Sequence, residues 1–321
     1  MKKHTIFLLI LILALLLPGC TGSLFKKNSG KLKVLASFYP MYDFASKIGG
    51  DNVEVKMLVP AGFEPHSWEP STRDMMSFEE ADVFVYSGAG MELWVDKILS
   101  SIQNKDLVVV EASSGITLME TGLRSIESIS SGDTSEEHAS EEEHDEHGEY
   151  DPHVWLDPQN AKIQMKAICD AYSLKDPKNA EYYQSNYSRY AGELDLLDAE
   201  FENALSSFSD RNIVVAHEAF GYLCQAYDLY QIPIKGISAD AEPDAARMRE
   251  IVDFVDLYHV KVIFFEELAS PEVAEAIASE TGCETRALNP LGGLTQEQID
   301  AGEDYFSVMR SNLEALTYAL S

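Results

Sequence analysis

Apolar and polar positions along this chain switch repeatedly between two spacings. Short apolar runs occur at KVLASF (33–38), VEVKMLV (53–59), DVFVYSG (82–88) and DLVVVEA (106–112). Such runs, bounded by turn residues, predict strands buried on both faces. Between them the apolar residues recur every three or four positions, which predicts helices at about 40–49, 71–80 and 91–103. The strand–helix–strand order predicts a mostly parallel sheet flanked by helices.

Further on, Asp157 is a good N-cap for a helix over 159–173. Residues 177–207 read as one long helix. Its buried stripe is Tyr183, Tyr187, Tyr190, Leu194, Leu197, Phe201 and Leu205. About 30 residues at 1.5 Å each give roughly 45 Å, long enough to run along both halves as a spine. The alternation then resumes. Strands are predicted at NIVVAHE (212–218), IPIKGIS (232–238), KVIFFEE (261–267) and TRALNP (285–290), with helices at 219–229, 243–258, 271–281 and 295–319. In the helix at 243–258 the expected core face is Ala245, Met248, Ile251, Val252, Val255 and Tyr258. The fold class is therefore α/β, with the same architecture in each half but no sequence repeat between them.

The first 20 residues form a processing signal. Lys2 and Lys3 precede an apolar run from Ile6 to Leu17, which Pro18-Gly19-Cys20 closes. The run is short of the roughly 20 apolar residues that span a bilayer. Its end resembles a lipobox, which makes Cys20 the lipidated first residue of the mature protein; an uncleaved anchor is the alternative. Either reading puts the rest of the chain outside the cytoplasm at a membrane surface, tethered by residues 21–31.

A net charge of −30 argues against a nucleic-acid partner, whose phosphates it would repel. It suits a cationic ligand, and it equally suits plain solubility. Of four cysteines, Cys20 belongs to the lipobox. Cys169, Cys224 and Cys283 lack the spacing of a thiolate zinc site. Export permits a disulfide, and Cys224 with Cys283 is one candidate pair.

Histidine carries the chemistry. Of eight, His4 lies in the signal, and His259 ends a helix, where a cation is favourable. His138, His144 and His147 lie in the run DTSEEHASEEEHDEHGE (133–149), too charged to pack. That run is either a plain solvated insertion or a weak accessory metal lure. His66 in GFEPHSWEP (62–70), His153 in DPHVWLDP (151–158) and His217 in VVAHEAFGY (214–222) remain. By pattern, His66 and His217 follow strands, the end at which open α/β sheets bind ligands. Pro65 and Pro152 stiffen the backbone before their histidines. Glu64, Asp151 and Glu218 are candidates to orient the imidazoles. A lone loop histidine is usually an ordinary hydrogen-bonding residue; three in such settings suit zinc or another borderline metal.

These three motifs, in order, resemble those of the cluster A-I metal-binding lipoproteins of ATP-binding-cassette importers, in their zinc-uptake branch. The resemblance covers residues 33–319, including FFEE (264–267) and NPLGGL (289–294). It implies two α/β lobes joined by a long helix, with one metal in the cleft and His66, His153 and His217 as its ligands. The organisation it implies is signal 1–20, tether 21–31, N-terminal lobe 32–176, linking helix 177–207 and C-terminal lobe 208–321. It also implies delivery of the ion to a membrane permease, by a monomer held by its lipid anchor. Many relatives place an acid at the start or end of the last motif, where this chain has Asn289 and Gly292. A water, the Asn289 amide oxygen or Glu64 is left to complete the shell, with water ranked first. Nitrogen-rich ligation favours Zn2+ over Mn2+.

Two other classes compete. A metallohydrolase also pairs three protein ligands with a water, but HExxH and other hydrolase motifs are lacking, and Glu218 is the one base to propose. Some members of the family are described as adhesins, a role to which no residue here points specifically.

Overall fold

A computed structural model describes Phe25 and residues 30–121, 150–239 and 242–321. The signal with Cys20 and the run at 133–149 with His138, His144 and His147 lie outside the described residues. Two four-stranded parallel sheets form the frame. The first contains β1 (Leu32–Ala36), β2 (Val53–Met57), β3 (Val83–Tyr86) and β4 (Val108–Glu111), in the order β2-β1-β3-β4. The second contains β5 (Asn212–Val215), β6 (Tyr230–Pro233), β7 (Val262–Phe265) and β8 (Glu284–Ala287), in the order β6-β5-β7-β8. The two orders are the same. In each sheet the chain leaves the first strand to one side and returns on the other, so a crevice opens beyond the carboxyl ends of the first and third strands.

Helices cover the sheets. In the first half they are α1 (Tyr39–Gly49), α2 (Thr72–Glu80), α3 (Val95–Ser101) and α4 (Pro158–Lys175). Asp157 caps α4, its carboxylate accepting the Gln159 N–H at 2.8 Å, as its position predicts. The expected spine is α5 (Ala180–Leu205), entered through a 3-10 turn at Pro177–Asn179. Its 26 residues span about 39 Å. The predicted stripe is its buried face, except that Tyr187 and Tyr190 are only partly covered. The second half adds α6 (Gly221–Ala226), α7 (Ala245–Tyr258), α8 (Glu272–Thr281), α9 (Gln296–Asp300) and α10 (Tyr305–Leu320).

Three expectations need correction. The helix predicted over 295–319 is two helices, α9 and α10. Gly302 breaks it in the left-handed region at φ 84°, and the Asp304 carboxylate starts α10 by accepting the Ser307 N–H at 2.9 Å. On α7, Ile251 and Val255 are buried and Met248, Val252 and Tyr258 pack against the same cluster as expected, but Phe254 is buried as well and Ala245 is exposed in the first turn. Cys224 and Cys283 are not bridged; with Cys169 they are free thiols.

One hydrophobic core runs through both halves. It joins β1, α1, α4 and α5 to β5, α6 and α10. Trp155, fully buried, stands where the halves meet. Its ring packs edge-on against Phe38, its indole N–H donates to the Pro290 carbonyl at 2.8 Å, and its own carbonyl accepts the Tyr305 hydroxyl at 2.8 Å. A second tie is ionic. Lys47 of α1 reaches Asp43 at 2.6 Å and Asp304, the cap of α10, at 2.9 Å. Phe25, inside the expected tether, is buried in the same apolar cluster as Leu35, Leu58 and Phe84.

Candidate metal centre

Each of the three motif histidines is placed by a short irregular segment between rigid elements. His66 lies in the loop between β2 and α2. The Glu64 carboxylate accepts its main-chain N–H at 3.3 Å. Gly62 ties the loop to the second half by donating to the Leu294 carbonyl at 2.9 Å. His153 opens the 3-10 turn Val154–Leu156 just before α4. The Asp151 carboxylate accepts both its main-chain N–H, at 2.9 Å, and its ring Nδ1–H, at 2.8 Å. His217 follows β5. Its Nδ1–H is taken by Glu266, which follows β7. These are the neighbouring strands at the crevice of the second sheet, so His217 and Glu266 meet where that topology places a ligand.

The three side chains converge. Nε2 of His153 lies 3.1 Å from Nε2 of His66 and 3.4 Å from Nε2 of His217. One ring nitrogen from each falls within 4.8 Å of the others. His153 and His217 are almost completely buried, and His66 is half-buried. The cavity they enclose has a volume of about 10 Å³, the size of one water or ion.

The proton positions follow from the partners. A carboxylate on Nδ1 fixes the tautomer with hydrogen there and leaves Nε2 as a bare lone pair. Both His153 and His217 are held in this way. Their Nε2 atoms therefore face each other at 3.4 Å, where a proton or a cation can sit between them. A bound cation takes both lone pairs as ligands. Tetrahedral zinc with bonds near 2.0–2.1 Å needs nitrogens roughly 3.3–3.4 Å apart; His153 and His217 stand at 3.4 Å, and His66 and His153 are slightly closer at 3.1 Å.

The electrostatics agree. Burial pushes the His217 imidazole toward its neutral form. The charge and hydrogen bond of Glu266, with the charges of Glu64 and Asp151, push harder the other way, and its pKa is raised. Burial pushes the Asp151 carboxyl up to about 7, against the His153 N–H and the charge on His217, which both favour the anion. Such surroundings attract positive charge.

Not every candidate joins the trio. Asn289 lines the cavity, but its side-chain oxygen accepts the Leu291 N–H at 2.7 Å, and Asn312 brackets its backbone at 2.9 and 2.7 Å. Glu64 lines the cavity as well. Of the carboxylates expected to orient imidazoles, Asp151 does so. For His217 an orienting acid is Glu266; the main-chain N–H of Glu218 donates to the Gly236 carbonyl at 3.0 Å. The readable signal for Glu266 was a pair of acids directly after an apolar strand, in FFEE.

Fold and site together define a two-lobed α/β protein whose interlobe cleft can hold one metal ion on three imidazoles. Comparison with known proteins narrows this. The family model described as "Zinc-uptake complex component A periplasmic" matches residues 34–319, and the chain belongs to that ZnuA family. It is 39% identical over 323 residues to the high-affinity zinc uptake system protein ZnuA of Bacillus subtilis, covering 99% of this chain and 98% of that one. It is 38% identical over 316 residues to the zinc-binding protein AdcA of Streptococcus pyogenes. That match takes in 98% of this chain and 61% of AdcA, so the chain spans about three fifths of that relative's length. The crystal structure of the Zn(II)-bound ZnuA-like domain of Streptococcus pneumoniae AdcA superposes with a TM-score of 0.75 at 36% identity, covering 91% of this chain and 99% of that domain.

Proposed function

We propose that this chain captures zinc outside the cytoplasm and delivers it to the permease of an ATP-binding-cassette importer. The observation that carries this reading is the convergence of His66, His153 and His217 through Nε2, with no carboxylate in the trio. Three neutral imidazoles suit zinc; manganese prefers more oxygen ligands. A water ranks first for the fourth position; Glu64 and Asn289, which line the same cavity, rank behind it, the Asn289 side-chain oxygen being engaged with the Leu291 N–H at 2.7 Å.

His66 and His153 come from the first lobe and His217 from the second. Parting the lobes removes a ligand, and the water-filled fourth position lets an incoming ligand displace the ion stepwise. The protein transforms nothing: the ion is its cargo. It works as a monomer held at the membrane by a lipid on Cys20. His138, His144 and His147 raise the local zinc concentration without forming the tight site.

A competition titration tests the reading. Protein lacking the first 20 residues is loaded with manganese and titrated with zinc. Displacement at one equivalent supports the reading; tighter manganese binding contradicts it.

A further inference from the structure

The carboxylate that orients His153 is itself held from the other lobe. Asp151 is buried, and its main-chain N–H donates to the Met119 carbonyl at 2.8 Å. Glu120 and Tyr150 pair antiparallel beside that bond. The Met119 N–H in turn donates to the hydroxyl of Tyr222 on α6, at 3.0 Å. Tyr222 is 2% exposed. A continuous path therefore runs from Tyr222 through Met119 and Asp151 to the ring of His153.

Gly221 stands at the same junction. A Cβ built there would lie 2.5 Å from Asp151 Oδ2, closer than real contacts allow, and 3.5 Å from the Met119 side chain. The φ of Gly221 is not positive, so its backbone does not require glycine. Space requires it. Asp151 cannot simply swing aside, because its other oxygen holds two N–H groups of His153.

We propose that Gly221 and Tyr222 are positioning residues for zinc. They act through another residue, fixing the Asp151 carboxylate and through it the Nδ1–H tautomer and aim of His153. An added methyl at 221 moves Asp151, and a lost hydroxyl at 222 frees Met119. Losing an orienting partner typically weakens a metal site by about 10–100-fold.

The inference rests on His153 being a ligand, so His153→Ala is measured first. The test is a double-mutant cycle on zinc affinity, read by competition with a chromophoric chelator. Gly221→Ala and Tyr222→Phe are each made alone and with Asp151→Ala. Both singles are expected to weaken zinc binding by about threefold to tenfold, less than the roughly 10–100-fold typical of losing the orienting partner itself, and to add little once Asp151 is alanine. Nitrogen-15 spectra of the zinc-free singles should show the His153 Nδ1–H signal weakened, a readout that general loss of stability does not move selectively. Tyr222→Phe carries the test by itself if Gly221→Ala does not fold. Equal losses with and without Asp151 overturn this inference and leave the zinc reading intact. Unchanged binding in His153→Ala overturns both.

Discussion

Glu266 takes the Nδ1–H of His217 from the end of the neighbouring strand, 49 residues away in sequence. That contact fixes the tautomer of the one imidazole supplied by the second lobe and makes it a better donor to a cation. Glu266→Gln keeps the shape and removes the charge. It should weaken zinc binding by about 10–100-fold, in a chelator competition, while circular dichroism stays unchanged. Wild-type affinity in this variant would show that the carboxylate plays no part in holding the ion.

Trp155 links the site to the core that joins the lobes. Trp155→Phe leaves the Pro290 carbonyl without its 2.8 Å donor. Pro290 is half-buried, and losing one partner of such a bond costs about 1 kcal/mol, so urea unfolding of zinc-free protein should show a loss of about that size. A change much below 1 kcal/mol would mean that this tie does not secure the lobes.

Asp304 offers a pH signature. Burial pushes its carboxyl up, but the Ser307 N–H, Lys47 and the Phe306 N–H draw it further down, and its pKa lies below the ordinary 3.8. A lowered acid stabilises the fold at every pH above its unfolded value. That contribution is lost as pH falls through the folded value. Asp304→Ala should therefore cost about 1–2 kcal/mol at pH 7, the usual worth of a helix cap, and the deficit should shrink below about pH 4. A deficit constant from pH 7 to pH 3 would contradict the assignment.

The legible parts of this molecule were those governed by local pattern. The apolar runs located the start of all eight strands to within two residues, because each is a short apolar run between turn residues; β6 was placed too far along, overlapping the strand only at Ile232 and Pro233. The Asp157 cap and the stripe on α5 were readable for the same reason. The three histidines stood out because prolines and strand ends mark their settings. What escaped depends on three-dimensional adjacency. Glu266 becomes a partner of His217 only once β7 lies beside β5. The role of Asn289 in building its turn depends on Leu291 and Asn312. The break at Gly302 was locally encoded, but the amphipathic pattern on either side hid it.

The central claim is that one zinc ion binds on His66, His153 and His217. The most direct measurement is the zinc stoichiometry and affinity of four variants, His66→Ala, His153→Ala, His217→Ala and a deletion of residues 133–149, beside the unaltered chain. One tight zinc per chain is expected, lost in each histidine variant and kept in the deletion. Retention of the tight site in the three histidine variants, with its loss in the deletion, would place the ion on the acidic run and contradict the account.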